Sequence, residues 1–203
     1  MLPIGPVFQD AQLQVDLDSG LMRGVRYVAS PNHDSRPAGV EAELIVVHGI
    51  SLPPGEFGGP WVDHLFNNTL PPEVHPYFAE IAALRVSTHL FIRRDGSLTQ
   101  YVKFTDRAWH AGQSCYAGRE ACNDFSIGIE LEGTDAVPYD LLQYQSLAGS
   151  VAALCAAYPR LAPTRLVGHS EISPGRKTDP GPAFDWPQAR HRIAAACARN
   201  DET

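Results

Sequence analysis

The chain has 203 residues, 44% hydrophobic and 19% charged, which suits a single globular domain. A core of that size buries enough surface to fold without a stapling disulfide or metal. Its 16 basic and 23 acidic residues leave a net charge of −7 with no basic run, which argues against a general binder of nucleic acid or membrane surfaces.

The first segment, MLPIGPVFQD, lacks the basic start of a signal peptide and is broken by Pro3, Gly5 and Pro6, so the expected location is the cytosol. No apolar run approaches the length of a membrane span. Residues 1–40 read as irregular, with SPNHDSRPAG rich in turn formers. LIVVHG (44–49) is a short β-branched run that reads as a central strand buried on both faces, ending at His48. SLPPGEFGGP (51–60) is a long loop, and Pro60 opens a short helix through Phe66. Pro76 opens another, YFAEIAAL (77–84), with Tyr77, Ile81 and Leu84 on one face. STHLFIRRDGSLTQYVKF (87–104) is a hairpin turning at Asp95-Gly96.

SIGIELEG (126–133) alternates cleanly, with Ile127, Ile129 and Leu131 on one face and Ser126, Gly128, Glu130 and Glu132 on the other. Over 139–158, Leu141, Tyr144, Leu147, Val151, Leu154 and Tyr158 follow the helical period until Pro159 stops it. RLVGHS (165–170) reads as a strand ending in a histidine, and Asp185 caps a terminal helix over 185–200. Interleaved strands and helices predict an α/β single domain with a central mixed sheet flanked by helices. Of the four cysteines, Cys155 and Cys197 fall in helical patterns; with Cys115 and Cys122 they read as free thiols of a reducing compartment.

Strand ends beside long loops are where α/β folds place their sites. His48 and His169 lie at such ends, and the Gly- and Pro-rich GHSEISPGRKTDPGPAFDW lets Asp179 turn back toward them. Two imidazoles and a carboxylate suit a three-ligand zinc site with an open position, at which water acquires a pKa of about 7. Lys177, two residues from Asp179, could stabilise an oxyanion there. Glu130 or Glu132 could serve as the base, and periodicity does not choose between them. Each of these residues alone has a plainer reading: a hydrogen-bonded strand-end histidine, a solvated lysine, a solvent-facing glutamate. His33, His64, His75 and His191 sit in polar or loop contexts and receive no role, His89 reads as a packed residue, and His110 is the main rival ligand on spacing.

VVHGISLPPGEFGGPWVDHLF, HPYFAEIAALRVSTHLFIRRDGSLTQYV, RAWHAGQS, CNDFSIGIELEGTD and GHSEISPGRKTDPGPAFDW together closely resemble the AmpD-type N-acetylmuramoyl-L-alanine amidases over about residues 25–190. The resemblance implies the fold shared with peptidoglycan recognition proteins. It implies an N-terminal extension at 1–24 ahead of a zinc amidase catalytic domain at 25–203. The implied reaction is hydrolysis of the amide between (1,6-anhydro-)N-acetylmuramic acid and L-alanine in muropeptides, during cytosolic peptidoglycan recycling.

It further implies one Zn²⁺ on His48, His169 and Asp179, Glu130 rather than Glu132 as general base, and Lys177 stabilising the tetrahedral intermediate. Arg85, Trp109 and His110 become substrate-binding residues, Arg85 by pairing with a peptide carboxylate. The partner is a small muropeptide, with no nucleic acid, membrane or obligate protein. Family members commonly carry Asn after the first ligand; Gly49 here removes a polar side chain and puts one substrate contact in doubt. A non-catalytic recognition module of the same fold is the main alternative; its usual mark, a missing ligand, is absent.

Overall fold

The computed structural model describes residues 12–201. In chain order, β1 (Val15–Asp16), β2 (Leu21–Met22), β3 (Arg26–Tyr27) and β4 (His33–Ser35) precede the long strand β5 (Leu44–Ile50). Helices α1 (Trp61–Phe66) and α2 (Pro76–Ile81) lead to the hairpin of β6 (Leu90–Ile92) and β7 (Leu98–Gln100). Short strands β8 (Asp106–Ala108), β9 (Cys115–Tyr116) and β10 (Arg119–Glu120) precede the second long strand, β11 (Ser126–Glu132). Helix α3 (Leu141–Ala157), strand β12 (Leu166–Gly168), the one-turn helix α4 (His169–Ile172) and helix α5 (Trp186–Asp201) complete the described chain.

The central sheet has the order β12-β5-β11-β6-β7-β3. Its β12, β5, β11 and β6 run parallel, β7 turns antiparallel to β6, and β3 adds parallel to β7. Apolar pairing in the middle of this sheet fixes the register. Ser126 lies opposite Leu44 and the match continues to Glu132 opposite Ile50, which sets Glu130 beside His48. A slip of one residue would turn every buried side chain to the wrong face, so this register is strongly determined.

Ile45, Val47, Ile127, Ile129 and Leu131 point to one face, where Leu147, Val151 and Leu154 of α3 and Ala189 and Ile193 of α5 cover them. Each such side chain taken from water contributes about 1.5–3 kcal/mol before the entropy of ordering is subtracted. Leu44 and Val46 point the other way, against Ala111, Phe125, Val167 and Ile172. On the far side of the sheet, Phe91 and Tyr101 pack with Val62, Phe66 and Phe78 from α1 and α2. The helical layer of α3 and α5 thus closes one face, while the other is shared by α1, α2, loops and His48.

The α/β single domain with a central mixed sheet is as expected, and so are β5, β11 and the 87–104 hairpin with Gly96 at φ 79°. Several local expectations need correction. Residues 12–40 are not wholly irregular: they hold four two- or three-residue strands, too short for periodicity to register. Helix α2 stops at Ile81, and Leu84 is 47% exposed. Leu141 is half exposed at the first turn of α3, where side chains lean back toward the helix start and away from the core residues that follow; Tyr158 lies just past its end. His169 opens a helix instead of closing a strand.

Of the expected extension, residues 1–11 lie outside the described residues; within the remainder, Met22 is buried in the larger core, with Leu13 and Val15 packed against it. No described helix is long and apolar enough to cross a membrane.

Asp185 caps α5 by accepting from the Gln188 amide at 2.9 Å. Asp185→Ala should therefore lower unfolding free energy by about 1 kcal/mol in urea titrations, since an orphaned first-turn amide loses its acceptor.

Candidate metal centre and active site

His48 reaches the site from the C-terminal end of β5, and β12 delivers His169 one residue past its own end, as the first residue of α4. The segment after α4 folds back through Gly175, at φ 76°, and is fastened where the Ser170 amide donates to the Asp179 carbonyl at 3.0 Å. His48 and His169 are 1% and 4% exposed; the Asp179 side chain is 16% exposed.

His48 Nδ1, His169 Nδ1 and Asp179 Oδ2 then lie 2.9, 3.1 and 3.2 Å from one another. Tetrahedral zinc, with bonds of about 2.0–2.1 Å, requires ligand atoms roughly 3.3 Å apart.

The protons around these atoms can be assigned from their neighbours. His169 Nε2 faces the Ala111 carbonyl at 3.1 Å, which only accepts, so Nε2 carries the proton and Nδ1 presents a lone pair. The Ser126 hydroxyl donates to the Cys122 carbonyl at 2.6 Å, so Ser126 Oγ accepts from His110 Nε2–H at 3.1 Å. His110 Nδ1 is left as an acceptor and takes the His48 Nε2–H at 2.9 Å. His48 Nδ1 therefore also presents a lone pair.

Burial pushes the His48 imidazole down to about 4 and the His110 imidazole well below its usual range, so both rings are neutral near pH 7. Three acceptors face one another with no proton among them, an arrangement that repels unless a cation is shared. The donor set fits zinc, and among the described residues these three form the group able to hold a metal ion.

The two glutamates of β11 are separated by their surroundings. Glu132 is 3% exposed and fully engaged: it accepts from the Gly58 amide at 2.5 Å and the Arg94 amide at 3.1 Å, with Arg93 3.7 Å away. Glu130, opposite His48, has a buried Oε2 with no hydrogen-bond partner. Burial, and then the charge of Asp179, raises its carboxyl well above the ordinary range, while Lys177 acts in the opposite direction. Lys177 itself is exposed, with its ammonium close enough to influence both Glu130 and His48.

The other expected site residues lie further out or deeper. Arg85 is exposed and donates to the Ala82 and Leu84 carbonyls at 3.2 and 3.1 Å. Trp109 is half-buried, its amide on Ser87 Oγ at 3.0 Å. His110 does not line an open groove: it is 9% exposed and both ring nitrogens are committed, to His48 and Ser126. Nor does it join the His48, His169 and Asp179 group; it holds His48 from behind.

Gly128 makes room for it, because a Cβ there would lie 2.5 Å from the His110 ring. A glycine inside a strand marks a close approach, but what approaches Gly128 is visible only with β11 paired to β5. His89 is a packed residue as expected, accepting from the Gly128 amide and donating to the Asp106 carbonyl.

A model of the N-acetylmuramoyl-L-alanine amidase family matches residues 38–182. The chain belongs to that family. It is an N-acetylmuramoyl-L-alanine amidase of the AmpD type. A relative from Escherichia coli K12, 1,6-anhydro-N-acetylmuramyl-L-alanine amidase AmpD, is 60% identical over 177 residues, covering 87% of this chain and 95% of that protein. The Haemophilus influenzae relative of the same name is 52% identical over 84% of this chain and 93% of its own length. A crystal structure of an AmpD selenomethionine derivative superposes with a TM-score of 0.85 at 57% identity, over 88% of this chain and 98% of that one.

His110→Ala removes the acceptor that fixes His48 Nε2–H and should weaken zinc affinity by about tenfold or more, as loss of such supporting bonds does elsewhere. Competition with a chromophoric chelator would measure it; an unchanged Kd would mean that His48 is oriented without this ring.

Proposed function

We propose that this amidase cleaves the bond between the lactyl group of 1,6-anhydro-N-acetylmuramic acid and L-alanine, using one zinc ion held by His48, His169 and Asp179. The observation that carries the reading is the meeting of three proton-free ligand atoms 2.9–3.2 Å apart, beside a buried carboxylate oxygen with no partner of its own. The relatives matched over nearly their whole length bear the name of this activity. An AmiD from Escherichia coli, 26% identical with a TM-score of 0.54, is described in complex with anhydro-N-acetylmuramic acid-L-Ala-D-γ-Glu-L-Lys.

Zinc, when bound, supplies Lewis acidity that polarises the scissile carbonyl and acidifies water. The chain's own groups do the rest. Glu130 takes a proton from the attacking water and returns it to the departing alanine nitrogen; its raised proton affinity suits both transfers. Lys177 offsets the negative charge that develops on the carbonyl oxygen. Arg85 and Trp109 are assigned to substrate contact, Arg85 through a carboxylate of the peptide. The work falls in cytosolic peptidoglycan recycling, a reading supported by four cysteines of which none is joined in a disulfide among the described residues.

Purified protein given a 1,6-anhydromuramyl-peptide should release free peptide, lose this activity to a chelator and regain it with added zinc. Tight binding without release would favour the recognition-module alternative. Glu130→Ala should retain zinc and lose about 10²-fold or more in kcat; full turnover in that variant would remove Glu130 from the mechanism.

A further inference from the structure

The Asp179 arm needs a floor, and the structure builds it from glycines. Pro180 follows the metal-facing carboxylate. A Cβ on Gly168 would lie 2.9 Å from Pro180 Cδ, and one on Gly49 would lie 3.6 Å from Pro180 Cα. The strand ends that carry the two histidines therefore also seat the residue beside the third ligand. Between them stands Tyr139, which is 7% exposed. Its hydroxyl donates to the Pro180 carbonyl at 3.0 Å.

The ring is held so that this hydroxyl cannot swing aside. A Cβ on Gly133 would lie 2.3 Å from Tyr139 Cε1 and 2.6 Å from Cζ, so the ring rests directly on the backbone there. Phe184 meets it edge-on at 5.4 Å between centroids. Gly133 is itself fixed, its amide on the Ile50 carbonyl at 2.9 Å. A Cβ on Gly49 would sit 2.4 Å from the Tyr139 hydroxyl oxygen but 3.7 Å from the ring carbon that bears it. The space a side chain would need at position 49 is thus filled by one atom, the tyrosine oxygen. Burial, followed by the charges of Glu130 and Asp179, raises the Tyr139 phenol well above its ordinary range, so it remains a donor.

We propose that Tyr139 is a positioning residue for the metal-binding carboxylate: its hydroxyl clamps the Pro180 carbonyl and so aims Asp179, and Gly49 and Gly133 are glycines because that clamp occupies their side-chain space. This rests on the zinc reading above. Tyr139 touches neither substrate nor metal in this role. It acts by limiting where the 173–182 loop can place one oxygen, which is the ordinary way outer groups tune a metal site.

The test is direct measurement of zinc Kd by chelator competition, alongside thermal melting of the metal-free chains. Tyr139→Phe keeps the ring and loses the clamp; its Kd should rise about tenfold while the metal-free melting temperature stays close to wild type. Gly49→Ala should weaken zinc similarly by displacing the hydroxyl. In the double variant the new methyl meets only Pro180 Cα at 3.6 Å and the ring carbon at 3.7 Å, both ordinary contacts, so the loss should equal that of Tyr139→Phe alone and not the product of the two.

Wild-type zinc affinity in Tyr139→Phe would overturn the proposal, as would losses that simply multiply. A Kd that rises only in step with a large fall in metal-free melting temperature would also overturn it, by making the effect one of general stability. A wild-type chain that retains no zinc would overturn the metal reading itself, and this inference with it.

Discussion

Three lone pairs directed at one point, with no hydrogen between them, are the constraint that the surrounding structure serves. Left to themselves, two imidazole lone pairs and a carboxylate oxygen at 2.9–3.2 Å repel. They are kept there because each is held from behind. His169 is fixed by the Ala111 carbonyl, and His48 by a chain of donors running through His110 and Ser126 to the Cys122 carbonyl. That chain has a single polarity, set by a carbonyl that cannot donate. The backbone of one 3₁₀ turn, Cys122–Asp124, therefore decides which nitrogen of a histidine more than 70 residues earlier faces the metal position.

The sheet makes this affordable. Because β5, β11 and β12 are parallel, their carboxyl ends lie side by side, and groups far apart in sequence emerge from neighbouring strands. The helical layer of α3 and α5 covers the opposite face, so the residues that hold the core and those that do chemistry alternate along the same strands. Ile129 and Leu131 face the helices; between them Glu130 faces His48.

Much of this was legible in the sequence, for identifiable reasons. The β-branched run at 44–49 and the alternation at 126–132 are strong signals, so both long strands and the facing of Glu130 followed from period alone. The convergence of His48, His169 and Asp179 followed from strand ends and a turn-rich segment. What period could not supply was the difference between Glu130 and Glu132, which share a face. It is made by partners from elsewhere: the Gly58 and Arg94 amides and the Arg93 guanidinium engage one carboxylate, and none engages Oε2 of the other.

His110 was noticed as a possible ligand, but its depth beneath His48 depends on Gly128, whose meaning appears only once the strands are paired. Tyr139 was hidden because it falls inside the 139–158 stretch read as helix, whereas the helix begins at Leu141. Arg36, half-buried in a turn-rich stretch and donating to the Asn123, Asp124 and Ser126 carbonyls, had no local signal at all.

The fate of Glu132 reaches beyond its neighbour. The 51–60 stretch, with its glycines and prolines, has the composition of a loose flap. Yet Gly58, at φ 84°, turns its amide inward to that buried carboxylate, which also takes an amide from the hairpin that follows β6. One anion at the tip of β11 thereby moors two separate loops to the strand that carries Glu130. Two stretches 36 residues apart in the chain, Gly58 and Arg94, thus share one buried counter-charge, and a change at Glu132 would be felt in both at once.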